Sequence, residues 1–376
     1  AVGPTGSVPI PDSAQRINCR GSYLIPGLID AHVHLLSDVS GEDYRARAES
    51  DAKAMLLSGI TSVRDMAGDG RSLASFARDA LVGDIDAPDV YYVTLFAGPS
   101  FFTDPRTHKA SRGGLPGQML YMRGVTDSSN IPLTIAEARG TGATAIKLYA
   151  QLTAGLAQKL TAEAHVQGLR VWSHFDLTKA SPIETIEAGV DVVSHVGMLN
   201  RWRPDRKDSI PVSWRASNLD SAFWNREFRA MPMMDYIRVM KKNKTILDAT
   251  LLLEAERRGD PSLSPYNRAV YISRYELGRR FVKLALDNGI PVCTGTDVDE
   301  NKFVQREIKT LVTDAGFTPA QAILAATLNG ARAIGIENRT GSIEKGKEAD
   351  LVLLAANPLL DINYIDQVKK KKKKGK

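Results

Sequence analysis

The stretch Leu24–Asp38, "LIPGLIDAHVHLLSD", decides how the rest of the chain is read. Pro26 and Gly27 break the backbone, and the run that follows, 28–36, is too apolar for a solvated loop and is expected to end a buried strand. That strand carries His32 and His34, one residue apart. Side chains two positions apart in a strand share a face, so both imidazoles address one point. An isolated H-x-H pair is more often core filling than chemistry. At the end of a buried strand, two neutral imidazoles are half of a site for a divalent metal, and the chain must supply further donors elsewhere.

Working outward, seven more apolar, β-branched runs appear: 60–66 (ITSVRDM), 90–97 (VYYVTLFA), 143–150 (ATAIKLYA), 169–175 (LRVWSHF), 190–196 (VDVVSHV), 245–252 (TILDATLL) and 291–297 (PVCTGTD). With 24–34 they make eight. Amphipathic segments such as "LTAGLAQKLTAEAHVQG" and "SRYELGRRFVKLALDNG" lie between them and close on glycine, as helix ends do. Nearly continuous apolar strands alternating with helices signal parallel strands buried on both faces. The economical arrangement is an α/β fold, a closed (β/α)8 or TIM barrel. The barrel is assigned to 25–340. Residues 1–24 and 341–368, β-rich at both chain ends, are expected to form a small composite β-sandwich, and 369–376 a solvated lysine-rich tail.

Composition fits a soluble globular protein, with 43% hydrophobic and 24% charged residues in 376. No apolar run approaches the roughly 20 residues a membrane helix needs, and nothing at the start resembles a signal peptide. The first residues read as the middle of a β domain, so the true N-terminus is expected upstream and the location stays open between cytoplasmic and secreted or periplasmic. The net charge of +6 belongs to the end: Lys369–Lys374 and Lys376 supply seven positive charges, and without them the balance is −1. Neither nucleic acid nor membrane is expected as a partner. A small-molecule substrate is, with a homo-oligomer left open. Cys19 and Cys293 have neither disulfide-framework nor zinc-finger spacing.

Reacting groups of a TIM barrel gather at the C-terminal ends of its strands. Here Lys147 lies late in the fourth strand, His174 in the fifth, His195 in the sixth, and Asp297 closes the eighth. A single buried histidine is usually a satisfied core residue. An unpaired ammonium in an apolar strand costs several kcal/mol and seldom persists without a role. Six such residues at one end of five strands point to a shared centre.

The motifs "PGLIDAHVHL", "TSVRDM", "AIKLYA", "VWSH", "VSHVG", "TGTDV", "TPAQAILAATLNGARAIGI" and "GSIEKGKEADLVLL" resemble the amidohydrolase superfamily, in its imidazolonepropionase-like and Xaa-Pro-dipeptidase-like (prolidase-like) branch. They run from residue 24 to about 362. The resemblance implies that His32 and His34 hold one metal with Asp297, and that His174 and His195 hold a second. Lys147 would bridge the two as a carbamate made with carbon dioxide. Two divalent ions, zinc by the donor set, would then supply a bridging hydroxide, with Asp297 as general base and acid in cleavage of an amide or peptide bond. The departures are at the ends: the opening strands of the small domain are missing, and polylysine stands where a last strand is usual.

For substrate contacts the sequence offers Tyr149, two residues beyond Lys147 and on its face, and arginines with histidine and aromatics in the long loops: Arg106, His108 and Arg112 after the third strand, Arg201, Trp202 and Arg203 after the sixth. Such a grouping suits a carboxylate-bearing dipeptide or N-acyl amino acid. The alternatives are a lactam or ester hydrolase on the same barrel, a mononuclear deaminase, and a scaffold without activity. By the resemblance a deaminase carries glutamate three residues after the fifth-strand histidine and no fourth-strand lysine; here Leu177 follows His174 and Lys147 is present. A scaffold would have lost ligands, and all six positions are filled.

Overall fold

The structure, a computed structural model, describes residues 3–4, 6–36, 45–201, 210–216, 218–297 and 303–373. Eight strands build the barrel: β1 Leu28–Val33, β2 Ile60–Asp65, β3 Asp89–Ala97, β4 Ala145–Leu148, β5 Arg170–His174, β6 Val192–Ser194, β7 Ile246–Asp248 and β8 Val292–Cys293. Each pairs in parallel with the next in sequence, so the sheet runs β8-β7-β6-β5-β4-β3-β2-β1. The two ends of that sheet are joined by Ala31 N–H to the Thr294 carbonyl (3.0 Å) and Asp297 N–H to the His32 carbonyl (2.9 Å). The barrel is thereby closed, as the strand count predicts. Apart from β3, its paired segments are shorter than the apolar runs, several of which continue past the strands into the mouth.

The interior holds Ile29, Ala31, Val93, Ala145, Trp172, Val192 and Cys293, all fully or nearly fully buried. Arg64 is buried with them. Its Nη2 donates to the Ile334 carbonyl at 2.8 Å and to Thr144 Oγ1 at 3.1 Å, and its guanidinium stacks on Trp172 at 5.3 Å. Helices including Gly70–Val82, Ala154–Val166, Pro265–Asp287 and Val304–Ala315 surround the sheet. Several begin on side-chain caps, Asp69, Thr153 and Ser264 among them, which satisfy amide groups a helix start leaves free.

Both chain ends meet in a separate antiparallel sheet of three strands, Tyr23–Pro26, Leu351–Leu354 and Val368–Lys372, with the middle one central. Among the described residues, nothing before Tyr23 forms a strand. The lysine run is a correction to the sequence reading. Val368–Lys372 is not a solvated tail; it pairs with Leu351–Leu354, Lys372 opposite Leu351 and Lys370 opposite Leu353. Lys373 Nζ then docks beneath the barrel, 2.7 Å from Asp89 Oδ1 and 2.8 Å from the Ala87 carbonyl. Backbone pairing and a buried carboxylate outweigh the poor strand propensity of lysine.

Candidate metal centre

All six sequence-predicted ligands lie at the C-terminal mouth of the barrel. His34, Lys147, His174, His195 and Asp297 line one cavity of about 430 Å³, and His32 is buried at its floor. Asp297 is the hub. Its Oδ1 is 3.0 Å from His34 Nε2 and 3.5 Å from His32 Nε2, and its Oδ2 is 3.6 Å from His195 Nδ1. Donor atoms of His32, His34 and Asp297 all fall within 4.8 Å of one another. The His195 ring packs edge-on against those of His174 (centroids 4.5 Å) and His32 (5.0 Å). Lys147 Nζ, buried, donates to the Met66 carbonyl at 3.4 Å.

The backbone aims these groups. Among the described residues, seven non-glycine residues have positive φ, and six of them follow a barrel strand: Ala67, Gln151, Thr178, His195, Thr250 and Asp297. Left-handed conformations of this kind cost energy and gather where function fixes the chain. Here they turn His195 and Asp297 out of their strands and over the mouth. Asp65, ending β2, accepts from Leu35 N–H (2.7 Å) and Gly68 N–H (2.9 Å) and so ties down the loops after β1 and β2.

The residues fit a metal. His32 Nδ1 is 2.7 Å from Asp248 Oδ2, which also accepts from Ser194 Oγ at 2.6 Å. That contact places the imidazole proton on Nδ1 and leaves Nε2, buried and with no hydrogen-bond partner, as a bare lone pair beside Asp297. Gly295 makes room for the arrangement: a Cβ there would sit 2.4 Å from Asp248 Oδ1 and 2.5 Å from His32 Cβ. Burial holds His32 and His174 well below the usual imidazole range and His195 at about 3, so all three are neutral donors. Burial likewise lowers Lys147. It would raise Asp297, but the hydrogen bond from His34 Nε2 favours the carboxylate and holds it below its ordinary value.

Two walls flank the centre. On one, the Tyr149 ring packs against Phe101 (4.8 Å) and His174 (4.0 Å), and its hydroxyl, raised by burial, feels the nearby Arg106 guanidinium. Arg106 is itself held by both oxygens of Asp104. His108 and Arg112 are exposed and outside the cavity lining; the Arg112 carbonyl accepts from Arg71 at 2.7 Å. Arg201 faces Asp176 at 3.4 Å and lines an adjoining recess. Trp202 and Arg203 lie outside the described residues.

Sequence reasoning missed the other wall, formed by the helix Leu251–Arg257 and the helix Pro265–Asp287. Glu254, Arg257, Tyr271 and Arg274 line the cavity from there. Glu254 is 2% exposed, and burial pushes its carboxyl up to about 7. Glu307, buried on the next helix, accepts from Leu251 N–H (3.0 Å) and Leu252 N–H (2.6 Å) and so caps the helix that carries Glu254. A glutamate within the apolar run "ATLLLEAE" was the available signal.

A family model described as the amidohydrolase family matches residues 23–376. Imidazolonepropionase of Thermoplasma acidophilum is 22% identical over 378 residues, spanning 95% of this chain and 81% of that protein. A solved structure of a putative prolidase from Bifidobacterium longum is similar with a TM-score of 0.72 and 24% identity, covering 100% of this chain and 85% of that one. Ochratoxinase of A. niger gives 0.71 and 22%, covering 94% and 82%. The family match takes in the small sheet, all eight barrel strands and every residue gathered at the mouth, and the chain belongs to the amidohydrolase family, hydrolases that act on carbon–nitrogen bonds.

Proposed function

We propose that this chain is a binuclear metal-dependent hydrolase that cleaves the amide bond of a dipeptide or an N-acyl amino acid. The observation that carries the reading is the convergence on Asp297 of imidazoles from β1 and β6, with His32 Nε2 buried and unpartnered beside it. His32, His34 and Asp297 would hold one ion, His174 and His195 the other, and Lys147 both. Divalent ions bound there, zinc by the nitrogen and oxygen donor set, lower the pKa of water toward neutrality and polarise a carbonyl.

The chain's own residues do the rest. Burial lowers Lys147 and so favours its free amine form, which adds to carbon dioxide, forms an N–C bond and releases a proton to give a carbamate. Asp297 accepts the proton of the attacking water as its oxygen bonds to the carbonyl carbon. It returns that proton to the departing nitrogen as the C–N bond breaks. Tyr149, packed on Phe101 and His174, positions the substrate carboxylate or donates to the developing oxyanion.

Elemental analysis should find close to two divalent ions per chain, and a metal-loaded enzyme supplied with bicarbonate should cleave members of a dipeptide and N-acyl amino acid library. No stoichiometric metal would end the reading. A second reading, opening of a cyclic amide, draws on the relative named imidazolonepropionase; turnover of lactams with none of the linear amides would favour it.

A further inference from the structure

The wall opposite Tyr149 carries polar atoms with no partner. Arg274 Nε is buried and has none, and neither has Oε2 of Glu254. The nearest approach between the two side chains is Arg274 Nη1 to Glu254 Oε1 at 3.8 Å, too long for a hydrogen bond. Stacking on the Tyr271 ring at 5.2 Å restrains the guanidinium. Gly197 leaves the space Glu254 fills: a Cβ at Gly197 would lie 2.4 Å from Oε1. Arg257, three residues on from Glu254 and at the rim, adds a second cation to the lining. Two guanidinium groups against one carboxylate leave this wall positive. By contrast, Arg106 across the cavity is already neutralised by Asp104.

Beyond Arg274 the space continues. Arg274 and Tyr271 also line a recess of about 330 Å³ that opens beside the catalytic cavity. A substrate held near Tyr149 and cleaved beside Asp297 can therefore extend an arm past the metal centre toward Arg274. A half-buried guanidinium whose buried Nε lacks an acceptor calls for an anion.

We propose that Arg274 and Arg257, beside Glu254, form a subsite for a second substrate carboxylate, carried on the acyl side of the scissile bond. The preferred substrates are then amides with an anion at each end: N-glutaryl or N-succinyl amino acids, and dipeptides whose first residue is acidic. In such a dipeptide the α-ammonium also meets the free Oε2 of Glu254. This inference rests on the amide-hydrolase reading above and narrows its substrate class.

The test compares N-glutaryl amino acids with their uncharged N-valeryl isosteres. Charge-assisted hydrogen bonds of this kind discriminate about tenfold to a hundredfold, and kcat/KM should favour the glutaryl substrate by that ratio. In Arg274→Gln the ratio should fall to about threefold or less, and in Arg257→Gln, at an exposed position that does not threaten folding, it should fall partway. Glutarate alone should raise the melting temperature of the wild-type holoenzyme and do so less in both variants. Equal rates on the two acyl groups overturn the subsite while leaving amide hydrolysis standing. Preference for a free α-ammonium regardless of the acyl arm would assign the wall to Glu254 and overturn it too. Should no linear amide be cleaved, the parent reading fails instead, and glutarate stabilisation with its loss in Arg274→Gln still decides the subsite.

Discussion

Asp248 Oδ2 lies 2.7 Å from His32 Nδ1, at the end of β7 and far from His32 in sequence. The contact decides which imidazole nitrogen faces Asp297. Partners of this kind typically contribute ten- to a hundredfold to metal affinity. Asp248→Ala should therefore weaken metal binding by about that factor, read by competition with a chromophoric chelator. Unchanged affinity would show that His32 needs no such support.

Gly295 is the only residue type that fits between Asp248 and His32, since a methyl group there would stand 2.5 Å from His32 Cβ. Gly295→Ala should cost about 1–3 kcal/mol by overpacking and displace the imidazole. A melting temperature lowered in the metal-free protein, together with loss of bound metal, is the expected outcome. A variant as stable and as metal-rich as the wild type would contradict the packing described.

Lys147 tests the carbamate. Lys147→Ala should lose nearly all hydrolytic activity and recover part of it when acetate or propionate supplies the missing carboxylate oxygens. An undiminished variant would remove the carbamate from the mechanism.

Glu307 should make stability depend on pH. Burial raises its carboxyl from 4.5 to about 8, against the two amides it accepts from. The folded chain therefore holds a proton that the unfolded chain has released, and stability must fall as pH climbs from about 4.5 to about 8. Glu307→Gln removes that titration. The stability of the wild type relative to the variant should decline across this window, by up to a few kcal/mol, in denaturant melts at stepped pH. A flat difference would place the Glu307 pKa near its ordinary value.

The barrel was legible because its information is local. Eight apolar runs, glycine after helices and His32 and His34 two apart on one strand all follow from period and composition. Lys147, His174, His195 and Asp297 stood out because charge late in an apolar run is costly. The rest depended on contacts between distant segments. Glu254 and Arg274 sit on helices, where polar residues are usually solvent-facing, and they reach the cavity only because both helices enter the mouth. Asp248, inside the run 245–252, carries no local sign of its partner 216 residues away. His108 and Arg112 were attractive by residue type, yet the fold leaves them exposed and outside the cavity lining. The lysine run misled for the opposite reason: its charge argued for water, while Leu351–Leu354 offered an open ladder and Asp89 a buried counter-charge.

That lysine strand also has a bearing on how copies of the protein meet. Val368–Lys372 is the outermost strand of its sheet, and it lies against the apolar Leu351–Leu354. A bare row of leucine and valine with free amides and carbonyls would recruit the same row from another copy. Positive side chains along the rim repel their own kind, so the sheet terminates instead of propagating. High salt, which screens that repulsion, is the condition under which association along this rim would begin.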